Sequence, residues 1–154
     1  MQRMCLNLVL GLVVIFLSQP ASAETLKIEE HAEFGRYLTD DSGIALYLFE
    51  EDRRGGDRGR AVESDCVSDD CLSRWPTLGG SKLPEAGEGI DGGRVGSFVR
   101  PDGKVQATYN GWPPHYFAED FVAGDVSGHD FEEFGGEWYL VTPDGGALGE
   151  PGEH

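Results

Sequence analysis

Two stretches of the chain repeat one another without a gap. Leu48-Phe49-Glu50-Glu51-Asp52 with its trailing Gly56-Asp57 aligns with Tyr116-Phe117-Ala118-Glu119-Asp120 and Gly124-Asp125, each position 68 residues on from its counterpart. Such a match implies that one supersecondary unit was copied within the chain, so that two related pieces share a core. Anchoring the copies on two turn glycines, Gly43 and Gly103, gives a separation of 60 instead. That alignment predicts eight extra residues in the second copy, absorbed by Asn110-Gly111 and Trp112-Pro113-Pro114.

The copied unit reads as β structure. Phe34 to Thr39 and Ile44 to Phe49 flank Asp40-Asp41-Ser42-Gly43, where the glycine can take positive φ and the aspartates can bond the backbone, a hairpin signature. The pattern returns at Val95 to Arg100, Pro101-Asp102-Gly103 and Lys104 to Tyr109, and Asn110-Gly111 is a further strong turn dipeptide. A last strand is expected over Trp138 to Thr142. Long helical periodicity is missing, and 23 glycines with 8 prolines oppose extended helices. One short helix is predicted over Asp70 to Arg74, capped by the acids before it and stopped ahead of Pro76. The expected fold is all-β, two related antiparallel β units packed as one small domain, with one short helix near the cysteine pair.

The N-terminus has the features of an export signal. A basic start containing Arg3 precedes an apolar run from Cys5 to Leu17, and Ala21-Ser22-Ala23 forms a small-residue cleavage site before Glu24. The run is shorter than the ~20 residues of a bilayer span, so an integral membrane protein is not expected. The sequence therefore divides into a signal peptide over 1–23, a polar N-terminal arm or short strand over 24–33, a tandem β domain over 34–146 and a flexible tail over 147–154. The protein is expected to be periplasmic or extracellular after cleavage between Ala23 and Glu24. In an oxidising compartment the remaining cysteines, Cys66 and Cys71, are most simply a disulfide. A redox dithiol is the competing reading, although four residues intervene where exchange-active pairs usually have two. The 28 acidic residues against 12 basic ones give a net charge of −16, which argues against nucleic acid as a partner.

Tyr47-Leu48-Phe49-Glu50-Glu51-Asp52 fits a tyrosine, any residue, an aromatic, any two residues, then aspartate. Together with Cys66, Cys71, Trp75-Pro76, Tyr109-Asn110-Gly111-Trp112-Pro113, Tyr116-Phe117, Gly124-Asp125 and Gly135-Gly136-Glu137-Trp138-Tyr139, it resembles the bacterial secreted repeat of unknown function family, predicted lipoproteins with a Yx(FWY)xxD motif. The resemblance implies an envelope or extracellular location and a tandem β repeat, and it brings no established activity. The second copy departs from the motif with His115 in place of tyrosine, and the lipid-attachment cysteine is not beside the cleavage site, which argues for a released protein.

The candidate site residues are those of the two motif copies: Tyr47, Phe49 and Asp52, and His115, Phe117 and Asp120. On a strand Tyr47 and Phe49 share a face, and Asp52 follows where it can accept bonds from the Gly-rich loop beyond. The competing reading brings Asp52 and Asp120 together as a paired acid or cation site. A metal set is a second candidate: Asp125, Ser127, His129 and Asp130, followed by Glu132 and Glu133, alternate oxygen ligands around a glycine and would suit calcium. His115 with His129 would suit a transition metal. His31 and His154 are expected to be exposed. Trp75, Trp112, Trp138 and Tyr139 are either core or the lining of a groove for carbohydrate or peptide. No serine elbow or recognisable triad is present, and Asp120 with His115 are the nearest to catalytic candidates. The function expected is an exported non-enzymatic repeat module, binding an envelope protein or glycan or serving a structural role. The alternative is a metal-binding or redox accessory protein of the periplasm.

Overall fold

The computed structural model describes residues 23–56, 59–80 and 82–149. The reading of the first 22 residues as a signal, and that of His154, lie outside them. The chain folds into β1 (Thr25–His31), β2 (Gly35–Thr39), β3 (Tyr47–Phe49), α1 (Asp69–Arg74), β4 (Glu85–Ala86), β5 (Val95–Val99), β6 (Val105–Tyr109), β7 (Phe131–Glu133) and β8 (Gly136–Leu140). They form three small sheets, ordered β2-β1-β4, β3-β8-β7 and β5-β6. All described pairings of these strands are antiparallel except the short parallel contact of β1 with β4. The all-β architecture with one short helix is as the sequence implies. The helix stops before Trp75-Pro76 as expected, but its cap is not an acid: Ser68 accepts the Cys71 amide, and Asp69 and Asp70 lie in the first turn. Cys66 and Cys71 are bonded, with Cα atoms 5.5 Å apart.

Alternation along the strands feeds two cores. Tyr37, Tyr47, Phe49, Trp138 and Leu140 enter one cluster with the disulfide, Trp75 and Phe117. Their neighbours Leu38, Leu46, Leu48 and Val141 enter a second with Leu26, Leu78, Ala107 and Tyr109. The strands they share are thus buried on both faces, which a period of two side chains makes possible.

Three local expectations change. The predicted hairpin of 34–39 with 44–49 exists only at its turn: Asp40 N donates to Ile44 O, Leu46 N to Leu38 O, and Thr39 bridges Ala45. Beyond that, β2 pairs along its length with β1, and β3 pairs with β8. Within 24–33, residues Thr25–His31 form the short strand, one of the two alternatives the sequence offers, and Leu26 is fully buried in it. At the other end, 147–149 folds back, with Ala147 bridging Val141 and Leu148 N donating to Leu140 O at 2.8 Å. His31 is half-buried, its ring stacked on Phe34 at 4.8 Å, and its Nδ1 accepts the amides of Glu33 and Phe34 to close the β1–β2 turn.

The duplication is visible bond for bond. Leu38 N to Val141 O (2.8 Å), from the first copy to the second, matches Ala107 N to Leu78 O (2.9 Å), from the second to the first. Val141 N to Leu46 O matches Leu78 N to Pro114 O, and Glu50 N to Glu137 O matches Ala118 N to Arg74 O. Asp52 N to Phe49 O and Asp120 N to Phe117 O close equal turns at the motif ends. These equivalences correct the sequence alignment on Gly103. The counterpart of the turn at Gly43 is Asn110-Gly111, both glycines having φ of 82°, and Gly103 (φ 81°) answers to Gly35 (φ 80°). The β1–β2 hairpin is the partner of β5–β6. No eight-residue insertion exists; repeated turns of similar composition misled the alignment.

Candidate functional site

The two motif copies meet at a bridge. Tyr47 N donates to His115 O at 2.8 Å and His115 N to Tyr47 O at 2.9 Å, so the first residues of the two motifs lie side by side on neighbouring segments. Each side chain then crosses to the other copy. The Tyr47 hydroxyl donates to Asp120 Oδ2 at 2.5 Å, and His115 Nε2 lies 3.3 Å from Asp52 Oδ2. Asp52 and Asp120 therefore do not form a paired acid; each is taken by the opposite copy's leading residue.

The remaining oxygens tie loops. Asp52 Oδ1 accepts the Asp65 amide at 2.8 Å, across the Gly-rich loop that follows the motif. Asp120 Oδ1 accepts the Ser127 amide at 3.0 Å, and the Gly128 amide donates to the Tyr47 oxygen at 3.3 Å. Burial and the bond to Asp120 push the Tyr47 hydroxyl far above the usual phenol range, so it stays a neutral donor. Burial raises the Asp120 carboxyl, against the opposing pull of its bonds from Tyr47 and Ser127. His115 Nδ1 lies 3.1 Å from the Trp75 carbonyl, so each of its ring nitrogens sits beside a protein acceptor, Trp75 O on one side and Asp52 Oδ2 on the other. The His115 and Asp52 side chains are both at 0% exposure. No substrate reaches them in this conformation.

The motif aromatics build a four-ring column between these polar crossings. Phe49 stacks on Trp138 (4.3 Å between centroids) and Trp138 on Trp75 (3.8 Å), and Phe117 packs on Trp75 at 4.4 Å with a tilt of 30°. Each phenylalanine thus packs on the tryptophan of the other copy, and the two tryptophans meet in the middle. Trp75 and Trp138 are fully buried and Tyr139 is buried, so these three are core and not the lining of a groove, while Trp112 is half-buried against the second cluster.

The acidic loop spends its ligands on backbone. Asp125 Oδ2 accepts the amides of Phe121 (2.8 Å) and Val122 (3.0 Å), Ser127 contributes its amide to Asp120, and His129 Nδ1 accepts the Leu140 amide at 3.3 Å. Burial holds the His129 imidazole below its usual pKa, and Asp130 is exposed with its Oδ2 3.9 Å from His129 Nε2. Among the described residues no group of three or more His, Cys, Asp or Glu is placed to hold a metal ion. Both cysteines are at most 2% exposed.

One residue of this network was not signalled by the sequence. Arg100, before Pro101-Asp102-Gly103, is buried, with Nη2 donating to Cys66 O at 2.6 Å and Nη1 to Gln106 Oε1, while Gln106 Nε2 donates to Pro114 O at 2.9 Å. Burial lowers its pKa, against the attraction of Asp102 and Asp52. A strand-end arginine beside a turn ordinarily reads as solvated, and nothing in its neighbours distinguishes it.

Fold and site together define a two-copy β module whose shared signature is interior architecture. Residues 96–142, running from β5 through β8 and so covering the second copy, match the model of a family described as a secreted repeat of unknown function. This is the family the sequence resembles, and it agrees with an extracellular or envelope location. Comparison with curated proteins and with solved structures finds no match. Among the described residues no helix is long and apolar enough to cross a membrane.

Proposed function

We propose that the protein is an exported, non-enzymatic repeat module of the cell envelope, acting by binding a protein or glycan or by a structural role. The observation that carries this reading is the crossed pairing of the motif residues. Asp52, Asp120, Tyr47 and His115 satisfy one another inside the core, so the most chemically equipped residues of the chain hold the two copies together. Reactive groups that served catalysis would open on a cleft. The disulfide sulfurs are equally enclosed, which speaks against thiol exchange as the working chemistry. Affinity capture from envelope fractions, run beside a panel of hydrolase and oxidoreductase substrates, tests the reading. Retention of a specific envelope component with no turnover is the expected outcome. Turnover that survives in an Asp120→Asn, His115→Gln double variant, or is lost in it with the fold intact, overturns it either way.

A further inference from the structure

A groove of about 720 Å³ runs along the outer side of β1. β2 accompanies β1 from Lys27 to His31, but on the other side β4 reaches only Thr25 and Leu26. The direction of the uncovered edge follows from Leu38. Its N–H donates to Val141 O and its C=O accepts from Leu46 N, both away from β1. Ile28, its partner in register, therefore turns its own N–H and C=O the opposite way, into the groove, and Glu30 does the same two residues on. After Ala86 the chain leaves: Gly87 N still donates to Leu26 O at 3.0 Å, then Gly89 takes φ of 78° and the strand is not continued. Among the described residues, the two N–H and two C=O groups of Ile28 and Glu30 have no backbone partner.

The groove's charges select what fits. Of its two cations, Lys27 donates to Asp41 O at 2.7 Å and Arg36 sits opposite Glu30 in the β1–β2 register. Glu29 and Glu88 are exposed on its rim and form no ion pair among the described residues. The chain as a whole carries −16. We propose that the β1 edge is a docking site for an extended basic peptide, one with Lys or Arg at alternate positions, added as a strand against Ile28 and Glu30. Main-chain bonds supply affinity in this mode and alternate side chains supply selectivity. A second copy of β1 fits worse. An antiparallel pairing that uses both Ile28 and Glu30 on each strand is centred on Glu29 and sets the two Glu29 carboxylates directly opposite.

This proposal rests on the binding-module reading and names the partner's chemistry. The probe is a fluorescent seven-residue peptide alternating lysine and threonine, followed by anisotropy at low salt against the purified protein. A glutamate–threonine peptide and a version N-methylated at alternate backbone amides are the controls. Saturable binding is expected, at least tenfold weaker for the methylated peptide and absent for the acidic one. Glu30→Pro removes one outward N–H without touching the β2 ladder, and is expected to weaken binding at least tenfold. Glu29→Lys with Glu88→Lys is expected to do the same, and carries the test if the proline variant fails to fold by near-ultraviolet circular dichroism. Equal binding of the methylated peptide reduces the contact to charge alone and overturns the strand-addition proposal. So does a β1-mediated dimer in sedimentation equilibrium that Glu30→Pro dissolves without any peptide binding. Absence of binding overturns the peptide proposal while leaving the non-enzymatic reading standing, since that one fails on substrate turnover.

Discussion

Tyr47 and His115 exchange both of their backbone hydrogen bonds, and each hands its side chain to the aspartate that closes the other's motif. The relation makes the copies interlocked and not merely adjacent. Phe49 finds its tryptophan in the second copy and Phe117 finds its own in the first. A single copy would leave a buried carboxylate without its donor and a tryptophan without its stacking partner. The two-copy unit is therefore the cooperative one, and unfolding should be a single transition.

The Tyr47–Asp120 bond can be measured directly. Tyr47→Phe leaves Asp120 Oδ2 buried without its donor, which should destabilise the fold by about 1–3 kcal/mol. Urea titration of Tyr47→Phe, Asp120→Asn and the double variant should give a coupling energy of about 0.5–3 kcal/mol, as for residues in one network. Strictly additive losses would show that the short contact contributes nothing of its own.

His115 stands where the first copy has Tyr47, and the pseudo-symmetry says what a tyrosine there would meet. His115→Tyr places a phenol toward Asp52 as Tyr47 is placed toward Asp120, so the variant should fold, losing chiefly the bond to the Trp75 carbonyl, about 1 kcal/mol. His115→Ala opens a cavity and strips Asp52 of its ring partner, and should cost about 3–5 kcal/mol. Midpoints of chemical denaturation rank the two; a tyrosine variant as unstable as the alanine would contradict the equivalence of the copies.

The features legible in the sequence are local ones. The β5–β6 hairpin, the short helix stopped before Pro76, the inward pairing of Tyr47 with Phe49 and the tethering of a Gly-rich loop by Asp52 each depend on residues close in the chain. The crossing of side chains between copies was not legible, because alternation tells which face of a strand is buried and not which strand lies beside it. That is also why 34–39 and 44–49 read as one hairpin, when Leu38 is bound to Val141 and Tyr47 to His115. β1 is marked only weakly in the sequence, because five of its seven residues are polar or charged and only Leu26 and Ile28 mark the buried face. In the loop at Asp125, oxygen side chains that cap amides and oxygen side chains that cage a cation have the same spelling.

The Cys66–Cys71 bond closes a short loop, so its removal should lower stability by only about 2 kcal/mol in the chain-entropy treatment. Its burial makes a separate prediction about rate. Dithiothreitol should reduce it no faster than the protein unfolds, with reduction accelerating in parallel with the unfolding rate as urea is raised. Thiol trapping followed by mass spectrometry reads this out. Rapid reduction in native buffer would mean that the helix α1 opens locally, since Cys71 lies within it.

His129 should make stability pH-dependent. Its folded-state pKa is held below the ordinary imidazole value of 6.5, chiefly by burial, so the unfolded chain binds the extra proton first as pH falls. Between 6.5 and that lower value the unfolded state holds more protons than the folded one, and stability therefore declines as pH drops through the window. Asp120 works in the opposite sense: its carboxyl is raised above 3.8 by burial, so between 3.8 and the raised value the folded state holds the extra proton and stability grows as pH falls. Urea midpoints followed from pH 8 to pH 4 should fall below about 6.5. His129→Asn keeps an acceptor for the Leu140 amide and should remove that decline, while Asp120→Asn should remove the compensating rise and leave the His129 slope in place. A decline unchanged in the His129 variant would assign the acid sensitivity to another group and separate the loop's histidine from the energetics of the fold.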